Sequence, residues 1–286
     1  MYKTFMIDQL SPRSRGIHLA FGGWYAQGTE RYAHYRAEGS SHDDATLRMV
    51  RYILSASGER DADGVFHPWS PGDHPDANIK NRYTLIRSLV WNCEDRLDSP
   101  FTTVILANGK PAVELTFNFD AFTLDGETIS LSGHIDELVE ANGQYYVKDD
   151  KTTKGALSAA YFRQYTPHNQ MSLYATAGRV ILDKPIAGVI IRAAQIGVNF
   201  TRFATGQAPR PRAILDEWLA DTKWWVKQAR EYAIAGYWPR NDKSCDKFGG
   251  CPLRAVCGVS PSHRQAWLDQ DFEHHEWNPL QPRGEL

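Results

Sequence analysis

Asp136, Asp149 and Lys151 fall within GHIDELVEANGQYYVKDDKTT, residues 133–153. Asn142-Gly143 is the strongest short-range signal for a two-residue hairpin. With that turn, Ala141 faces Gln144, and counting back along both strands sets Asp136 directly across from Asp149. Side chains alternate faces with a period of two, so Lys151 and His134 lie one rung further out on the same face. Like charges directly opposite each other weaken a sheet. A divalent cation between them, Mg²⁺ or Mn²⁺ with oxygen ligands, would turn the repulsion into coordination. Lys151 beside it would orient an attacking water or stabilise charge developing on a phosphate. That is the chemistry of metal-assisted phosphodiester hydrolysis. The alternative is that both aspartates are surface strand residues paired with Lys151 and Lys148, and spacing alone leaves the two readings open.

The elements that must position these groups follow from periodicity. Residues 43–57 and 81–97 read as helices, with Leu47, Val50 and Leu54 at helical spacing. PAVELTFNFDAFTL alternates as a strand, and ISLSGHIDEL and QYYVKDDKTT follow it as the second and third strands of an antiparallel meander. The next run, LSAAYFRQYTPHNQMSLYATAGRVIL, is helical with a break at Thr166-Pro167, because proline removes a donor and restricts the residue before it. Its second half sets Gln170, Leu173, Tyr174, Ala177 and Ile181 on one face. IAGVIIRAAQIGVNF supplies one or two more strands, and a long helix ends at Gly236. This order predicts an α/β fold, a mixed β-sheet flanked by α-helices.

The chain has 286 residues, 42% apolar and 23% charged, with a net charge of −2. That length can bury a substantial core, and the expected organisation is a single domain. Residues 1–105 form its helical N-terminal part, 106–240 the core, and 241–286 a cysteine-bearing loop and tail. No run approaches the roughly 20 apolar residues of a membrane span, so a soluble, cytoplasmic protein without a membrane partner is expected. The net charge argues against a strongly basic nucleic-acid coat, although residues 185–213 hold no acid while Arg192, Arg202, Arg210 and Arg212 are basic. They read either as a solvated strand pair or as a phosphate-contacting edge. Trp218, Trp224, Trp225 and Trp238 read more readily as helix packing than as a stacking platform for bases. No phosphate-loop motif of an ATP-driven motor occurs.

Three ordered motifs, Gly133-His134-Ile135-Asp136, Asp149-Asp150-Lys151-Thr152 and Gln170-Met171-Ser172-Leu173-Tyr174, resemble those of the PD-(D/E)xK nuclease superfamily, and within it the RecB-like branch. The resemblance implies a restriction-endonuclease-like fold and a DNA nuclease, exonucleolytic or preferring single strands, that acts in recombination, repair or phage DNA metabolism. The absence of a built-in motor implies a helicase or recombination partner. It further implies that Asp136 and Asp149 ligate the metal, that the backbone carbonyl of Asp150 adds a ligand, and that Lys151 is the catalytic lysine. Glu114 matches an upstream acid used by some members. Gln170 and Tyr174, one helical turn apart, would line the site and contact the DNA backbone, with Arg202 as a further substrate contact. One position departs from the pattern. In LAFGGWYAQGTERYAHY the histidine that many RecB-like members use as a ligand falls at Ala26, which leaves Gln27 or Glu30 to complete the site. The same departure keeps a second reading open, a catalytically weak DNA-binding or assembly subunit.

The cysteines are Cys93, Cys245, Cys251 and Cys257. The last three share SCDKFGGCPLRAVCG at a C-x5-C-x5-C spacing, unlike the paired C-x-x-C of common zinc sites. The spacing is similar to that of the iron-sulfur subset of the same branch. There, one early cysteine and three late ones hold a 4Fe-4S cluster that clips the chain ends together. By that resemblance Cys93 is the fourth ligand, with zinc as the alternative metal.

Overall fold

The computed structural model describes residues 3–13, 16–240, 243, 245–246, 250–276 and 278–281. Three helices come first, α1 (Ile17–Ala37), α2 (His42–Ala56) and α3 (Arg82–Asp95). Their starts are written in the sequence. The Ser41 hydroxyl accepts from the Asp44 N–H at 3.2 Å, ahead of a first turn carrying Asp43 and Asp44. Asn81 and Thr84 form a reciprocal capping box. Both devices satisfy backbone donors that a helix leaves open at its N-terminus. The sequence had marked α2 and α3 to within two residues at each end.

The long strands are β5 (Val113–Leu124), β6 (Glu127–Ala141), β7 (Gln144–Thr153), β8 (Ile186–Ile196) and β9 (Thr201–Pro209). β5, β6 and β7 form the expected antiparallel meander. Its turns, Asp125-Gly126 and Asn142-Gly143, hold positive φ at both central residues, the conformation that matches strand twist in a tight hairpin. A short β4 (Thr102–Thr103) continues the β5 edge on β6. β7 runs parallel to β8 after a crossover through α4 (Ala159–Arg163) and α5 (Asn169–Leu182), and β8 pairs antiparallel with β9. A parallel neighbour requires such a crossover, and the Pro167 break divides it as expected.

Helices cover both faces of this mixed six-stranded sheet. On one side α5 packs Met171, Tyr174, Ala175 and Ala177 against Leu138, Val147, Val189 and Ile191. On the other, α1, α2 and α3 bury Phe21, Tyr25, Met49, Ile53, Leu85 and Leu89 together with Ala194 and Ile196 of β8. Central strands buried on both faces leave no solvated side to carry charge. The long helix α6 (Arg212–Ala235) ends at Gly236 in the left-handed conformation, as the glycine stop signal implied.

The chain ends meet in a separate two-stranded sheet. β1 (Leu10–Pro12) pairs with β10 (Phe272–His274), extended by bonds from the Arg13 N–H to Asp271 and from the His275 N–H to Gln9. Between them α7 (Arg254–Gly258) and α8 (Arg264–Asp271) close a small cluster of Leu253, Val256, Phe272, Leu10 and Cys251. Among the described residues no helix is long and apolar enough to cross a membrane.

The Asn142-Gly143 turn fixes the register that brings Asp136 toward Asp149. Gly143→Ala forces a Cβ into a backbone with φ of 74° and is expected to destabilise the fold by about 1–2 kcal/mol, read from the midpoint of urea unfolding.

Candidate active site

β6 and β7 stay paired from Ala141 and Gln144 only as far as Glu137 and Lys148. At the next position the strands part. β6 continues with β5, and β7 continues with β8 to Thr153. The anticipated rung of Asp136 on Asp149 is therefore not a ladder pair, and the rung beyond it does not form either. His134 lies opposite Thr116 instead, its Nδ1 3.1 Å from the threonine hydroxyl. The split relieves the repulsion that the turn would impose. In its place Asp136 Oδ2 accepts from the Asp150 N–H at 3.3 Å, so a carboxylate oxygen takes the donor that a continued ladder would have used.

The two carboxylates remain close inside the fork. Asp136 is 5% exposed and Asp149 1%. Lys151 Nζ stands 2.8 Å from Oδ1 and 2.7 Å from Oδ2 of Asp149. Both carboxylate oxygens thus lie against one ammonium, Oδ1 with the alignment of a hydrogen bond. Burial pushes the Asp149 carboxyl above the ordinary carboxylate range, Lys151 opposes that, and the charge of Asp136 adds to it. Burial works against the charged form of Lys151, but Asp149 and Asp136 outweigh it and hold the ammonium above its usual value. The lysine side chain is 28% exposed while that of Asp149 is 2% exposed, so the cation faces the mouth and the anion the interior.

A second charged chain backs the first. On the opposite face of β7, Lys148 contacts both Glu137 and Asp150, and Arg96, at the C-cap of α3, reaches Glu137 at 2.9 Å. The Thr103 hydroxyl donates to Glu137 at 2.6 Å. Burial disfavours the Glu137 carboxylate, yet Arg96 and Lys148 overcome it and hold the group down at about 2. The Asp150 side chain therefore turns away from Asp149, and only its backbone faces the fork through the bond to Asp136. Sequence reasoning missed Arg96 and Glu137, and it named Lys148 only in the alternative, as a surface partner of the aspartates. The available signal was that β7 is a central strand, where a lysine must be paired if both faces are covered.

α5 delivers the next shell. The Gln170 side-chain amide donates to the Tyr174 hydroxyl at 3.0 Å, and Tyr174 is close enough to raise Lys151 electrostatically. His168, at the N-cap of α5, was not singled out by the sequence. Burial first and then Lys151 hold its imidazole below the ordinary histidine value, and its Nδ1 is buried without a partner among the described residues. Tyr161 and Tyr165 join hydroxyl to hydroxyl at 3.2 Å, and both are influenced by the charge of Asp149.

Glu114 lies between the pairs Val113–Glu137 and Leu115–Ile135, level with Asp136, with φ of 53°. A non-glycine residue in that conformation inside a strand is uncommon and costs energy. Packing at Gly133 of the first motif is tight, since a Cβ there would meet the Phe117 ring at 3.0 Å. On α1, Ala26 is half-buried and offers no ligating atom, Gln27 accepts from the Tyr52 hydroxyl at 3.0 Å, and Glu30 is 4% exposed.

A family model described as the PD-(D/E)XK nuclease superfamily matches residues 13–258. The chain belongs to the PD-(D/E)XK nuclease superfamily. Members are generally nucleases that hydrolyse phosphodiester bonds, typically with Mg²⁺ or Mn²⁺. No curated protein matched the chain. The crystal structure of SSO0001 aligns at a TM-score of 0.31 with 12% identity, over 60% of this chain and 67% of that one, too weakly to carry an argument.

The PD-(D/E)XK fork fits a hard dication. Its donors are all oxygen, and Asp136 and Asp149 are two buried carboxylates set against the ammonium of Lys151, a surplus of negative charge that a dication would balance. Among the described residues no three His, Cys, Asp or Glu side chains are grouped to hold a metal. Mg²⁺ commonly takes one or two carboxylates and completes its shell with water and substrate phosphate, so two aspartates suffice.

The basic stretch resolves differently from a phosphate-contacting edge. Arg192 is buried and paired with Asp95 at 2.6 Å. Arg210 is 1% exposed and donates to Ser172 and to the Tyr165 carbonyl. Arg212 pairs with Asp216. Arg202 is exposed on β9, 5.0 Å over the Phe200 ring, on the rung that runs through Gln195 to Thr153.

The structure does not bring the four cysteines together. Cys93 is 2% exposed in the core of α1, α2 and α3, where burial pushes its thiol up to about 12, disfavouring the thiolate that a cluster needs. Cys251 donates its N–H to the Cys245 carbonyl at 2.8 Å and packs in the cluster at the chain ends, while Cys257 is exposed on α7. Gly249 of that loop lies outside the described residues.

Removing one member of the buried chain tests whether it supports the fork. Glu137→Ala leaves Arg96 and Lys148 with one carboxylate fewer and is expected to lose about 3–5 kcal/mol in urea unfolding. A loss below about 1 kcal/mol would mean that the chain is solvated rather than structural.

Proposed function

We propose that the protein is a divalent-metal-dependent deoxyribonuclease of the RecB-like branch. The observation that carries this reading is the buried pair Asp136 and Asp149 at the fork of β6 and β7, with the Lys151 ammonium at its mouth. Asp136, Asp149 and the backbone carbonyl of Asp150 would hold the cation, with Glu114 as a further acid. When bound, the cation would supply Lewis acidity and neutralise phosphate charge.

The remaining work falls to the chain's own groups. Lys151, kept cationic by the aspartates, offers a donor to a phosphate oxygen on which charge accumulates, and a low-dielectric fork strengthens that interaction. Gln170 and Tyr174 hold each other by a hydrogen bond, which fixes the amide and hydroxyl along the strand path before DNA arrives. The buried pairs behind β7 keep Asp149 and Lys151 from exchanging partners, because Lys148 is committed to Glu137 and Asp150. Exonucleolytic action in recombination, repair or phage DNA metabolism follows from the RecB-like motifs.

The test uses linear single- and double-stranded DNA with Mg²⁺ or Mn²⁺. Wild type is expected to cleave and to stop on chelation. Lys151→Ala and Asp149→Ala should each lower the rate by at least about 10²-fold, and Tyr174→Phe by less. DNA binding without cleavage by the wild type under any of these conditions would reject the enzyme reading in favour of a binding subunit, which the Ala26 position also fits.

A further inference from the structure

We infer that the cluster of His18, His74, Asp76, Lys80 and Lys154 is a phosphate-binding site. Lys80 carries the inference. It is 3% exposed, and among the described residues its ammonium has no hydrogen-bond acceptor or ion-pair partner. Its nearest defined contact is the face of the buried Phe21 ring, 4.1 Å away. An ammonium has three donors to satisfy, and no protein oxygen among the described residues takes one of them.

The neighbours explain why no acceptor is left over. Asp76 is the acid at the centre of the group, and its oxygens are already taken. Lys154 Nζ donates to both of them, at 3.1 and 2.9 Å, and His18 Nε2 stands 3.2 Å from Oδ2. The His74 ring packs edge-on to His18 at 5.6 Å. Two ammonium groups and two imidazoles thus converge on one carboxylate. Burial lowers Lys80 to about 8, Asp76 resists and Lys154 reinforces it. Burial likewise lowers His18, with Asp76 opposing and Lys80, His74 and Lys154 all adding to it. An incoming anion with several oxygens would answer both the surplus charge and the idle donors, and a phosphate matches that demand better than a second carboxylate.

Position gives the phosphate a source. Lys154 follows the end of β7, three residues beyond Lys151 and so roughly 10 Å along the chain. Phe21 precedes Gly22, whose Cβ direction meets the Thr152 hydroxyl at 3.9 Å. The group therefore lies at the same end of β7 as the fork, on the side of the strand that carries Thr152. The inference rests on the nuclease reading for the identity of its ligand as nucleic acid. The phosphate is either a strand-terminal monoester or a backbone diester.

The experiment measures binding in chelator, so that no cleavage is needed. Labelled single strands with a 5′-phosphate, a 3′-phosphate or hydroxyl ends, and a closed circle of the same sequence, are titrated against wild type, Lys80→Met and Lys154→Met. Lys80→Met is expected to lose about tenfold in affinity and to flatten the log–log salt dependence by about 0.7, the value for one phosphate contact on a single strand. A loss confined to one phosphorylated end identifies a terminal monoester. An equal loss on the circle identifies a backbone diester. A folded Lys80→Met that binds every strand as wild type does, or a wild type that binds none, overturns the inference. Should Lys80→Met fail to fold by circular dichroism, Lys154→Met decides in the same way, because its side chain is 59% exposed. Lys80-dependent binding by a protein that never cleaves leaves the phosphate site standing and removes the nuclease reading.

Discussion

The structure turns on where β6 and β7 stop pairing. Two carboxylates on adjacent strands repel each other, and the repulsion grows as solvent is removed. Here the ladder ends one residue before it would bring them face to face, and the Asp150 N–H released by the split is given to Asp136. Asp149 is left almost wholly buried, its charge opposed by the Lys151 ammonium and worsened by Asp136. A folded chain rarely keeps such a group for stability's sake, and the surrounding sequence otherwise follows ordinary rules of turns, caps and burial. A local violation inside a consistent frame is where function is expected.

That frame is made stiff by charges that never meet substrate. Arg96, Glu137, Lys148 and Asp150 alternate in sign across α3, β6 and β7, and each is engaged by its neighbour. A buried ion pair contributes little net stability compared with an apolar pair, but deleting one partner is expensive. The arrangement therefore acts on specificity of geometry. It decides which lysine of VKDDK belongs to which aspartate, so that Lys151 is left for the fork and Lys148 is fixed behind it. Tyr25, whose hydroxyl accepts from Asn92 at 2.7 Å, is buried next to this chain and links it to the helical layer.

Much of this was legible in the sequence, and the gaps have physical causes. Asn142-Gly143 set the register because the turn tolerates few alternatives, and Gln170 with Tyr174 was placed on one helical face by periodicity alone. The opening of the fork was not legible, since pairing rules describe ladders and say nothing about where one ends. Two of the arginines between residues 185 and 213, Arg192 and Arg210, fit neither sequence reading, for a related reason. Composition counts charge, but burial decides whether it reaches a ligand, and Arg192 and Arg210 are spent on Asp95, Ser172 and the Tyr165 carbonyl. Cys93 was grouped with the late cysteines by resemblance to the iron-sulfur subset, whereas its helix face turns it into the core.

The chain ends show how one mechanical requirement can be met by different chemistry. The iron-sulfur reading assigned the cysteines the task of holding the N- and C-terminal parts together. In this fold β1 and β10 already do so by backbone pairing, and Leu10, Leu253, Val256 and Phe272 bury the seam. Backbone bonds and apolar burial need no thiolate, so Cys93 is under no demand to leave the helical core.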